Sequence, residues 1–126
     1  MSFFPILYTS DVSGLVRFYC SSFGFEEQYR FPDAQDAGFV SLTRSGVSLG
    51  IVSEQTPRQL IDRGLGTGAK FELFIYVDDV DQQVRQLHGA GATVLREPED
   101  MPWGERVAYA EDPEGNPISI AQAVAS

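Results

Sequence analysis

Hydrophobic residues change their spacing along this chain, and the changes mark its elements. Behind Asp11, the residues Val12, Leu15, Val16 and Tyr19 fall at i, i+3, i+4 and i+7, one apolar stripe on a helix. Asp11 is placed to cap that helix, because its carboxylate can accept from the first-turn N–H groups. Asp79 plays the same part for Val80, Val84 and Leu87. Gly14 sits inside the first helix and weakens its propensity. Elsewhere, short apolar or alternating runs predict strands at about 3–9, 25–31, 38–44, 47–52, 70–77, 92–97, 105–111 and 117–122. Turn signals separate several of them: Pro32-Asp33, Ser45-Gly46 and Pro113-Glu114-Gly115. A further short helix is expected at 57–63.

The order strand, helix, three strands occurs twice. Leu7 to Val12 aligns with Ile75 to Val80 at an offset of 68 residues, which also carries Val16-Arg17 onto Val84-Arg85. The fold class read from this is α+β, two tandem βαβββ modules in one domain over 1–126. Module 1 covers about 1–53, a linker about 54–69, and module 2 about 70–126. The Gly64-Leu65-Gly66-Thr67-Gly68 run is not a dinucleotide loop. Such a loop follows a strand and opens a helix, whereas this one follows a helical segment and opens a strand, as a hinge between copies would.

Composition narrows the function. Nine Lys+Arg against eighteen Asp+Glu give a formal net charge of −9. A phosphate-reading nucleic-acid binder needs clustered cations, and an anionic membrane surface would repel this chain. There is no run of about 18 apolar residues to span a bilayer, and no basic stretch followed by an apolar N-terminal run, so a cytoplasmic location is expected. One cysteine, Cys20, excludes an internal disulfide; with His88 the single histidine, a Cys/His zinc site within one chain is excluded as well. Cys20 reads as a small buried hydrophobe, and His88 as a solvated residue favoured by its helix C-terminus. No nucleophile–base pair can be named, so no catalytic residue is assigned.

Two segments carry a family resemblance. The ending Asp112-Pro113-Glu114-Gly115-Asn116-Pro117-Ile118-Ser119-Ile120 is similar to a D-P-x-G-N turn followed by a hydrophobic strand with a carboxylate in it. The start, Tyr8-Thr9-Ser10-Asp11-Val12 continuing to Phe18-Tyr19 and Phe23-Gly24-Phe25, is similar to a V-x-D segment followed by F-Y and L-G-F. Together with the repeat, which covers nearly the whole chain, they resemble the vicinal-oxygen-chelate superfamily. That group includes glyoxalase I, fosfomycin-resistance enzymes, extradiol dioxygenases and bleomycin-resistance proteins. The resemblance implies cupped mixed sheets around a cavity, often at a homodimer interface, and is nearest in type to the bleomycin-resistance-like binding proteins.

It also implies where a metal would sit. Metal-dependent members use a His seven residues before the helix-opening Asp of each copy, and a carboxylate on each copy's last strand. Here those positions hold Phe4, Glu72, Gly50 and Ser119. Only Glu72 is a good ligand, and a divalent site needs about three. The expectation is a chain without metal or other cofactor.

The same positions mark the cavity side of each sheet, since side chains alternate along a strand. That side carries Phe4, Ile6 and Tyr8; Glu72, Phe74 and Tyr76; Ser48, Gly50 and Val52; and Ser119 and Ala121. Tyr109 is expected to join them, and Phe39 from the equivalent part of module 1. The other side carries Leu7; Leu73, Ile75 and Val77; Val47, Leu49 and Ile51; and Ile118 and Ile120, which suits packing under the helices. Ile6 and Phe74 read as packing residues. Trp103 lies in Met101-Pro102-Trp103-Gly104, similar to a W-G element that precedes the same strand in bleomycin-resistance proteins; Phe31 is a second stacking candidate. A carboxylate at Glu72 amid aromatics would need a partner or a cation, unless it sits at an exposed edge. The candidate ligand-binding set is Trp103, Tyr109, Glu72, Tyr8, Phe4, Phe39, Phe31, Tyr76 and Ser119. The function expected is binding, or sequestering, an aromatic or cationic antibiotic-like molecule. The alternatives are a metal-dependent lyase or dioxygenase, a metal-free isomerase with Glu72 as base, and a non-catalytic regulatory or scaffold domain.

Overall fold

Two of the helices begin at an aspartate that follows a strand. In the computed structural model, which describes residues 4–32, 36–61, 66, 68 and 71–123, Asp11 Oδ1 accepts from Gly14 N at 3.0 Å and Asp79 Oδ1 from Gln82 N at 3.1 Å. Asp11 and Asp79 are thus the N-caps of α1 (Val12–Phe23) and α3 (Val80–Gly89). Gly14 lies directly under the Asp11 carboxylate, where α3 makes the same cap bond through Gln82. A Cβ on Gly14 would lie 2.3 Å from Asp11 Oδ2. α1 ends at Gly24, whose φ of 72° lets its N–H return to the Tyr19 carbonyl.

The strands are β1 (Ile6–Thr9), β2 (Glu26–Phe31), β3 (Phe39–Arg44), β4 (Val47–Ser53), β5 (Leu73–Tyr76), β6 (Thr93–Asp100), β7 (Glu105–Glu111) and β8 (Pro117–Ala123). A short α2 (Thr56–Ile61) follows β4. The last part of the helix expected at 57–63, and most of the glycine run read as a hinge, lie outside the described residues. The chain divides into two compact units, Met1–Thr67 and Gly68–Ser126. Each is an α+β module with one four-stranded mixed sheet, ordered β1-β4-β3-β2 in the first and β5-β8-β7-β6 in the second. The first and last strands of each module pair in parallel, and the rest are antiparallel. The registers match: Ile6 faces Gly50 and Leu7 faces Ile51, as Phe74 faces Ser119 and Ile75 faces Ile120.

The turns follow their sequence signals. Ser45 and Gly46 both have positive φ, 52° and 80°, as a two-residue hairpin needs to match strand twist. The Asp112–Asn116 signature is a turn held by one buried carboxylate. Asp112 Oδ1 accepts from the backbone N–H of Glu114 and of Asn116, both at 2.9 Å, and Oδ2 from Asn116 Nδ2 at 2.7 Å.

One face of each sheet packs on its own helix. Leu7, Val40, Leu42, Leu49 and Ile51 are buried with Leu15, Val16, Tyr19 and Phe23 of α1, and Ile75, Ala108, Ala110, Ile118 and Ile120 with Val80, Val84 and Leu87 of α3. Val47 departs from expectation and is exposed, being the first residue past the hairpin; Leu73 and Val77 are only half-buried. Cys20 is half-buried, and burial with nearby Glu27 and Glu26 pushes its thiol pKa up. No helix among the described residues is long and apolar enough to cross a membrane.

Candidate functional site

The helix-distal face of each sheet carries the predicted site residues. In module 1, Gly50 lies beside Ile6 and Ser41 in register, and the next row holds Tyr8, Val52, Phe39 and Phe31. Gly50 is closed over by its neighbours. A Cβ there would stand 3.1 Å from Ile6 Cγ1, 3.4 Å from Phe4 Cε2 and 3.6 Å from Phe39 Cε2. Phe39 also meets the Tyr29 ring at a centroid distance of 6.1 Å. Phe4 and Phe39 therefore come together over Gly50, while Phe31 is exposed on the edge strand. Ile6, expected as packing, is also partly open to solvent.

Module 2 is built differently. Phe74, Ser119 and Tyr109 lie side by side in one row, and Tyr76, Ala121 and Val107 in the next. The floor is of small residues and a valine, all buried, and tall aromatic side chains stand around it. Phe74 and Tyr76 meet at 5.3 Å between centroids and remain 47% and 57% exposed. Phe74 is thus a surface ring, not the packing residue expected. Trp103 is 58% exposed, yet its indole is fixed: Nε1 donates to Glu105 Oε1 at 2.9 Å. The other oxygen of that carboxylate, Oε2, accepts from the Tyr76 hydroxyl at 2.6 Å. This bond pushes the Tyr76 phenol pKa up, because ionising it would set two anions together.

Glu105 was missed from sequence, although a signal existed. Tyr109 was placed on this face, and period-two alternation along β7 puts Val107 and Glu105 there too. Gly104, with φ of 92°, supplies the bend that turns Trp103 back onto residue 105. Ser119 holds another feature. Its Oγ is buried and has no hydrogen-bond partner among the described residues, and the residue is 1% exposed.

Glu72 is not brought into this group. It lies one residue ahead of β5, exposed, so no desolvation demands a counter-ion for it. Phe4 likewise precedes β1, since both strands begin later than the sequence pattern suggests. His88 is exposed and shares a 2.7 Å hydrogen bond with Glu97. Glu99 and Asp100 lie past the strand end expected near 97, yet belong to β6 and are held there by Arg96 at 2.7 Å and Arg106 at 3.0 Å.

A family model of the Glyoxalase/Bleomycin resistance protein/Dioxygenase superfamily matches residues 4–120. The chain belongs to this superfamily. An uncharacterized protein of Mycobacterium bovis is 27% identical over 125 residues, covering 95% of this chain and 82% of that protein. The superfamily fold recurs in a family enzyme from Burkholderia phytofirmans PsJN, at a TM-score of 0.82 and 28% identity over 94% of this chain and 95% of that one. It recurs also in a lactoylglutathione lyase from Agrobacterium tumefaciens, at a TM-score of 0.72 and 22% identity over 95% and 92% of the two chains.

The superfamily's metal positions can be tested on this chain's own residues. In module 1 they are a phenyl ring and a glycine whose Cα is covered by two phenyl rings. In module 2 they are the exposed Glu72 and the buried hydroxyl of Ser119. Among the described residues, no three His, Cys, Asp or Glu side chains are grouped to hold an ion. The donor set does not fit the superfamily's metal.

Proposed function

We propose that this superfamily member binds a small planar aromatic molecule on the helix-distal face of its second sheet, and does so without a metal. The observation that carries this reading is the pair of exposed rings, Trp103 and Tyr76, pinned to the two oxygens of Glu105 beside Phe74. Large aromatics left in water are costly to the free protein. Held rigid, they lose little further freedom when a flat ligand stacks on them. Sequestration of an antibiotic-like compound is the role this arrangement supports best, because it needs a stacking wall and no reacting group. We further propose that the chain acts as a homodimer, which sedimentation would test against a monomer mass.

The test is metal content of the purified protein by mass spectrometry, then titration of Trp103 fluorescence with planar drugs, bleomycin included. Saturable quenching on metal-poor protein is the expected result. Near-stoichiometric Mn, Ni, Fe or Zn would overturn the metal-free reading. Trp103→Ala is expected to weaken a verified ligand by about tenfold, about 1.4 kcal/mol, in calorimetry. Unchanged affinity would remove Trp103 from the site.

A further inference from the structure

We infer that the molecule bound on the second sheet is a planar aromatic cation, selected over its neutral counterpart by the Glu105 carboxylate. The inference rests on the binding reading above and specifies its ligand class. Glu105 accepts from two neutral donors, the Tyr76 hydroxyl and the Trp103 indole N–H. Among the described residues no arginine or lysine pairs with it. The nearest guanidiniums in sequence are engaged elsewhere: Arg106 with Asp81 at 2.8 Å and Asp100 at 3.0 Å, and Arg96 with Glu99 at 2.7 Å. Its negative charge therefore falls on the aromatic wall itself.

Two effects then point the same way. The faces of Trp103, Tyr76 and Phe74 attract a cation through the ring quadrupole, more strongly where water is partly excluded. The carboxylate bonded at the polar edges of two of these rings adds a direct Coulomb attraction, and a net charge of −9 draws cations to the molecule from a distance. An anionic flat molecule meets the reverse of each effect. Independently, the buried Ser119 Oγ lies in register beside Phe74, without a partner among the described residues. Buried hydroxyls are normally satisfied, so an unsatisfied one on this face points to a ligand group or water that completes it.

The experiment compares two probes of the same shape: 10-methylacridinium, a fixed cation, and acridine, neutral in mildly alkaline buffer. Binding of each to the full chain is read by fluorescence at low and high salt. Wild-type protein is expected to prefer the cation by about tenfold at low salt, and the preference should shrink as salt screens it. In Glu105→Gln the preference should collapse to about twofold or less. Any loosening of the Trp103 and Tyr76 rings affects both probes and cancels in that ratio. Equal affinity of wild-type protein for both probes overturns the charge selection while leaving the stacking site intact. A preference that persists in Glu105→Gln overturns the assignment to Glu105. Failure of both probes to bind wild-type protein overturns the stacking site and this inference together.

Discussion

The two modules share a plan and differ in what they do with one side of it. On the helix side they are interchangeable in kind: an aspartate cap, an apolar helix stripe, and buried aliphatic residues on three of the four strands. The packing chemistry differs only in detail. α1 uses Tyr19, with Phe18 and Phe25 edge-on at 5.1 and 5.7 Å, where α3 uses Val84 and Leu87. On the other side the modules diverge. Module 1 covers its central glycine with Phe4, Ile6 and Phe39, whereas module 2 keeps at the equivalent position a serine with no partner among the described residues, and braces its aromatics on a carboxylate. The two modules are alike on the side that drives folding and differ on the other.

The largest test of that division is on the shared side. Tyr19→Ala should cost about 3–5 kcal/mol and Leu87→Ala about 2–5 kcal/mol, since both side chains are fully buried. Chemical denaturation of each variant would show it. A loss below about 1 kcal/mol at either position would mean the helix faces are not the equivalent cores described.

The helix side was also the side legible in sequence. Asp11 and Asp79 could be read as caps because the chemistry of a cap is local. The paired positions Gly50 and Ser119, which the family resemblance implied, sit opposite Ile6 and Phe74, and the 68-residue offset relates those two. Strand ends were less legible. β6 runs on to Asp100 through an acidic stretch because Arg96 and Arg106 lie within reach, a tertiary fact that composition hides. The site was legible as a list of aromatics but not as an arrangement. The Tyr76–Glu105–Trp103 link joins β5 to the start of β7 across β8, and no local pattern encodes which side chain spans that gap. Glu72 misled for the converse reason. A carboxylate in an aromatic-rich stretch suggests burial, yet it sits just ahead of the strand, in water.

The central positions should respond with opposite signs. Gly50→Val should destabilise by about 1–3 kcal/mol, because the added atoms must push into Ile6 and Phe4. Ser119→Ala should be neutral or stabilising by about 1 kcal/mol, since it removes a buried hydroxyl that no described group satisfies. Thermal melts of the two variants would decide it. A clear loss of stability in Ser119→Ala would mean the hydroxyl has a partner, and the contrast between the modules would weaken.

The smallest expected effect concerns surface charge, where the modules differ in reach. In module 1 the Glu27–Arg30 pair is local, with Arg30 Nε 2.8 Å from Glu27 Oε2 on the same strand. In module 2 Arg106 ties β7 to Asp81 at the start of α3 and to Asp100 of β6. Hydrogen bonds from the arginines hold both the Glu27 and Asp81 carboxyls below the usual carboxylate range. A depressed folded pKa means the native state resists protonation. Each pair therefore contributes fully above the ordinary carboxylate range, and the contribution is lost as pH falls through the depressed folded value. Exposure and salt screening keep both effects small. Asp81→Asn should flatten the loss of stability on the acid side more than Glu27→Gln does, because it releases a helix from a strand and not one residue from its neighbour on the same strand. Melting temperatures of the three proteins from neutral to acid pH measure this directly. An acid-side change in Glu27→Gln equal to that in Asp81→Asn would show that Arg106 adds no coupling between α3 and its sheet.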